Sequence, residues 1–187
     1  MQNETSTHLA HAGGNFSRIR RRVIVYGGTL TVLALLQTTL LPAFAPLDIT
    51  PDLCLLLVLG AAMFDGAESG GAVGIAAGFL ESALGGIGIS LLPLLFFAIG
   101  YGTGYLAGRA LARTFPSYLI FAAVLCFLRP AITLAALSLR AHTASFDLTV
   151  IFRNTLVPEF LVNLIASVPM YPLIRQVDRW IRIKSER

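Results

Sequence analysis

Long apolar runs separated by short polar breaks set the pattern of the chain. A helix needs about 20 mostly apolar residues to cross the hydrocarbon of a bilayer. The first such run is 23–41, "VIVYGGTLTVLALLQTTLL", stopped at Pro42 and followed by the proline-rich "PAFAPLDITPD". The second is 51–64, "PDLCLLLVLGAAMF", in which Pro51 suits a first helical turn. "DGAES" at 65–69 then turns the chain. Residues 70–108 are apolar for too long to be one span and too short to be three, so a division near Gly85–Ser90 predicts helices over 70–86 and 91–108. A fifth helix is predicted over 117–139, containing Arg129-Pro130, and the polar "RAHTASFDLT" follows it. The sixth covers 153–174, where three prolines predict a bent or broken helix. The pattern therefore predicts an all-α polytopic bundle of six transmembrane helices over 23–174. A polar tail over 1–22 precedes it and a basic tail over 175–187 follows.

Composition agrees with that pattern. Of the 187 residues, 56% are hydrophobic and 13% charged, against roughly 25% charge in a soluble domain. Mean hydropathy is +0.75. No small soluble core could bury these runs. The basic-to-apolar N-terminus lacks a small-residue cleavage site close behind its apolar stretch, which favours a retained first span.

Charge then orients the bundle. Four basic residues precede the first span, two follow the fourth and five follow the sixth, whereas the loops of the opposite side hold only Arg140. The positive-inside rule places both termini in the cytoplasm. The basic excess accordingly reads as orientation and contact with membrane lipids, with no nucleic acid involved.

Gly70, Gly74 and Gly78 recur every fourth residue, as do Gly100, Gly104 and Gly108. Each set lines one helix face and allows close backbone approach, either between the third and fourth spans or against a partner protein. "GYG" at 100–102 lacks the pore-helix context of a channel filter, and "GYGTGYLAG" lacks the preceding strand of a dinucleotide loop. No nucleophile, zinc or paired-aspartate motif is present, so no catalytic residue, metal or cofactor is expected. His8, His11 and His142 fall in tails or loops, and Cys54 and Cys126 sit in apolar runs as small hydrophobes.

The remaining polar residues within spans are Glu81, Arg129, Glu159 and Asn163. A charge at mid-membrane costs roughly 2.5–3.5 kcal/mol on insertion scales, so these residues should face protein. Glu159 and Asn163, four apart, share one helix face. A structural clamp around Arg129 is the expected arrangement, its guanidinium serving Glu81 or Glu159 in bidentate fashion. A substrate or proton site and interfacial snorkelling are the alternatives.

"LQTTLLP…ITPDLCLLLVL", "GIAAGFLESALGGIGIS" and "FFAIGYGTGYLAGR" occur in that order over 36–109. In them the chain resembles the rod-shape-determining MreD family, over about 30–182. It has Glu81 where that family usually has Asp, and Gly85-Gly86 where a proline often follows. The resemblance implies a non-enzymatic inner-membrane adaptor of peptidoglycan elongation that regulates cell shape. The partners it implies are MreC and, through MreC, MreB, RodA and a class B penicillin-binding transpeptidase. The family is also similar to the six-helix substrate-binding subunits of energy-coupling-factor vitamin transporters, which supplies the alternative function.

Overall fold

The computed structural model describes residues 22–44, 49–84, 91–110, 114–140 and 156–183, and among these the chain is helical without a strand. Six helices follow one another: α1 (22–44), α2 (Leu53–Asp65), α3 (Ala67–Leu84), α4 (Leu92–Ala110), α5 (Phe115–Arg140) and α6 (Val157–Ile183). Each of the six apolar runs carries one of them. The breaks expected near Gly85–Ser90 and after Arg140, the termini, and the three histidines lie outside the described residues.

Among the described residues, three helices are long and apolar enough to cross a membrane: α1 over Arg22–Ala43, α5 over Phe115–Ile132 and α6 over Val157–Ile181. Their outer faces are apolar, with Val32, Val124 and Ile165 all well exposed. Water-exposed surfaces rarely present such large apolar areas. The chain is an all-α membrane protein.

The short helix α2 forms the axis. Every residue from Leu53 to Phe64 is buried. Helices α3, α4, α5 and α6 all pack on it, and Tyr26, Leu30 and Leu33 of α1 join the same core. This explains a run with no polar face: a helix that is hydrophobic all round has no solvent side to present. Asp52 caps its start, accepting from Leu55 N–H at 2.9 Å. Its end turns on Gly66, at φ 96°, a left-handed conformation that glycine adopts without penalty.

The most extensive interface joins α3 to α4. A Cβ placed on Gly70 would lie 2.6 Å from Gly100 O, and one on Gly104 2.5 Å from the Ala67 backbone. Gly74 abuts the Phe96 carbonyl and Gly78 the Pro93 backbone. Both glycine rows are thus turned inward, each against the other's helix. Gly108 is the exception, with open space around it. Gly60 makes a further close approach, in which α2 admits the side chain of Ile174 from α6.

Two helix ends differ from the pattern-based expectation. Helix α1 continues past Pro42 to Phe44, and helix α6 runs on through Pro169 and Pro172 to Ile183, so residues 175–183 are helical. Met170, Ile174, Asp178 and Ile181 continue one buried stripe at three- and four-residue spacing, which holds the extension on the bundle. Helix α1 contains a π-helical stretch, Leu36–Leu40, that periodicity did not indicate.

Candidate functional site

The cluster is built on the start of α2. The first N–H groups of any helix lack intrahelical acceptors, and hydrocarbon supplies none. Here side chains supply them. Gln37 Oε1 accepts from Leu53 N–H at 2.9 Å and from Cys54 N–H at 3.3 Å. Asp52 Oδ1 takes Leu55 N–H, and Asp52 donates its own N–H to Asn163 Oδ1 at 2.6 Å. Gln37 reaches this position from the π-helical turn of α1; such turns widen a helix locally and are frequent at functional positions.

Two carboxylates converge on one guanidinium beside that cap. Arg129 donates through Nη2 to Glu81 Oε2 at 2.7 Å and through Nη1 to Asp52 Oδ2. The other Glu81 oxygen accepts from Gln37 Nε2 at 3.3 Å. The Phe96 ring of α4 lies 5.2 Å from Arg129 Cζ, within cation–π range. The side chains are 3% exposed for Asp52, 10% for Glu81 and 18% for Arg129. All six helices contribute: α1 through Gln37, α2 through Asp52, α3 through Glu81, α4 through Phe96, α5 through Arg129 and α6 through Asn163.

Of the residues expected to form a clamp, the structure brings Glu81, Arg129 and Asn163 into one network. Glu159 lies within electrostatic reach of Arg129, at the opening turn of α6. The guanidinium fork is divided between Asp52 and Glu81, where bidentate pairing with Glu81 or Glu159 was expected. Sequence reasoning missed Asp52 and Gln37. Asp52 carried a signal, since Pro-Asp immediately before an apolar run marks a helix N-cap. Gln37 carried none, because its reach depends on the π-helical turn.

At the opposite end of α2, Asp65 pairs with Arg22 at 3.5 Å. Tyr118, fully buried, donates to Leu56 O at 3.3 Å, and its ring joins Phe64 and Phe115 around Tyr171. Cys54 and Cys126 are buried and free. Among the described residues, no group of three or more metal-ligating side chains forms.

No family model, curated protein or solved structure matches the chain.

Chemically, the cluster is a fastening. Glu81 and Asp52 hydrogen-bond to other members of the network and to the α2 backbone. In a low-dielectric interior such a network stabilises when complete and is costly when one member is lost.

Proposed function

We propose that the chain is a non-enzymatic adaptor of the cell-wall elongation machinery, embedded in the inner membrane with six spans and both termini in the cytoplasm. The observation that supports this reading is the cluster of paired charges at the start of α2. The intramembrane charges of α2, α3 and α5 engage one another, and Gln37, Phe96 and Asn163 extend the contact to the other three helices, as a rigid scaffold requires. The ordered segments over 36–109 that resemble the MreD family supply the biological setting. MreC is the direct partner in this reading, with MreB, RodA and a class B penicillin-binding transpeptidase joined through it.

The geometry also bears on which surface a partner can use. The glycine rows are occupied by α3–α4 contact, so partners meet the outer faces. The six-span topology rests on the charge asymmetry and on the burial of α2 within the bundle.

Affinity purification from crosslinked membranes tests the reading. Recovery of MreC together with cell-wall synthases is the expected result. Recovery of an ATPase module instead would establish the transporter alternative and overturn the adaptor.

A further inference from the structure

Helices α1 and α3 do not close fully on each other. A groove of about 370 Å³ lies between them, lined by Arg22, Tyr26, Gly27 and Leu30 on one side and by Glu68, Ala72, Val73 and Ala76 on the other. That volume falls within the range of small-molecule sites. Its floor is apolar and buried, formed by Tyr26, Leu30 and Val73. Its walls are low: Ala72 and Ala76 are small, and a Cβ on Gly27 would meet nothing within 4 Å. The lining residues extend over about 12 Å of each helix at 1.5 Å per residue, which makes the groove elongated.

Polar groups collect at one end only. Arg22 opens α1 and Glu68 lies in the first turn of α3, both at the end of the bundle where Asp65 lies. Arg22 pairs with Asp65 at 3.5 Å yet keeps 45% of its side chain exposed, and Glu68 is exposed. Tyr26 is one turn deeper than Arg22 on the same face. Its hydroxyl is buried beside the Asp65 carboxylate, and neither it nor Asp65 Oδ2 makes a hydrogen bond of standard geometry.

We infer that this groove holds a zwitterionic phospholipid with a primary amine headgroup, phosphatidylethanolamine. One acyl chain lies along Leu30, Val73 and Ala76. The phosphate meets Arg22, the ammonium meets Glu68, and the Tyr26 hydroxyl donates to the ester region beneath the phosphate. Charge complementarity selects the headgroup. At the rim stand one cation, Arg22, whose charge is already partly balanced by the buried Asp65, and one exposed carboxylate, Glu68, a pairing that disfavours a purely anionic lipid and accepts a headgroup carrying both signs. Apolar contact alone discriminates little, because the surrounding lipid is equally apolar. The inference requires only that these helices sit in a bilayer, and it stands apart from the adaptor reading.

The test uses the full-length protein in nanodiscs of equimolar phosphatidylethanolamine and phosphatidylglycerol, released into mild detergent, with retained lipid counted by native mass spectrometry. The expected result is retention of one phosphatidylethanolamine over phosphatidylglycerol by about fivefold, the selectivity of a partly exposed ion pair. Glu68→Gln should bring that ratio close to one, and Ala72→Phe should remove the retained lipid altogether. If Ala72→Phe fails to fold, Ala76→Leu serves the same purpose. Equal or greater retention of phosphatidylglycerol by the unaltered protein overturns the inference. So does a preference that survives both kinds of substitution, or a lipid-free dimer as the retained species.

Discussion

Arg129 and Glu81 are 48 residues apart in sequence and 2.7 Å apart in space, and the other nitrogen of the same guanidinium holds Asp52. The pair is therefore one side of a triangle. Removing one partner of a buried pair costs about 3–5 kcal/mol, because the other charge is stranded, whereas removing all partners can be nearly neutral. Arg129→Leu should be the most damaging single change, since it strands two carboxylates. Glu81→Leu should cost less, because Asp52 still engages the guanidinium. The double variant Arg129→Leu/Glu81→Leu should recover only part of the loss, and adding Asp52→Asn, which keeps a competent N-cap, should recover more. Thermal unfolding in detergent and accumulation in membranes read the cycle. Strictly additive losses would show that the three groups are not coupled.

The glycine rows make a prediction with an internal control. Gly104→Leu sets a large side chain against the Ala67 backbone, so α3 and α4 must part. It should lower stability by several kcal/mol, more than Leu106→Ala, which trims an exposed side chain. Gly108→Leu should be tolerated, since open space surrounds it. Equal unfolding midpoints for Gly104→Leu and Gly108→Leu would contradict the close approach.

Tyr118 separates hydrogen bonding from packing. Tyr118→Phe loses only the bond to Leu56 O, worth on the order of 0.6 kcal/mol between membrane helices. Tyr118→Ala also empties a fully buried site and should cost about 3–5 kcal/mol. A Phe variant as damaged as the Ala variant would mean that the hydroxyl, not the ring, holds α5 to α2.

Topology is open to direct labelling. Cysteines placed at Ser6 and Ser185 in a background lacking Cys54 and Cys126 should react with impermeant reagents only from the cytoplasm, and one at Thr143 only from outside. Labelling of Ser6 or Ser185 from outside refutes the six-span arrangement.

The helices were legible because apolar runs and the polar breaks between them act locally, whereas Pro42, Pro130, Pro169 and Pro172 all lie within helices. The run beginning at Leu53 and the turn at Gly66 fall where hydrophobicity and turn chemistry place them. The inward direction of the two glycine rows was legible as one of two options, since four-residue spacing fixes a face but not its partner. The end of α6 was misjudged because basic residues at 175 and 179 suggested a tail, although Ile174, Asp178 and Ile181 keep the buried stripe going. The three-way charge contact was only half legible. Cost arguments direct an intramembrane carboxylate toward an intramembrane arginine, but Asp52, where the proline-rich loop meets the second run, was not counted among the polar residues within spans. Its burial follows from the three-dimensional position of α2, which no local pattern encodes.

The order of the clamp along the chain also has a consequence for biosynthesis. Asp52 and Glu81 both leave the ribosome before Arg129 does. A nascent chain that has inserted α1 to α4 holds two carboxylates whose shared counter-ion has not yet been made. Such an intermediate is expected to stay loosely assembled at this end of α2, with Gln37 and the α2 cap holding the carboxylates, until α5 arrives and locks it. Chains truncated after residue 114 should then be cleared by membrane proteases faster than chains extended to residue 150. Equal lifetimes in a pulse-chase comparison would show that the earlier helices settle without their cation.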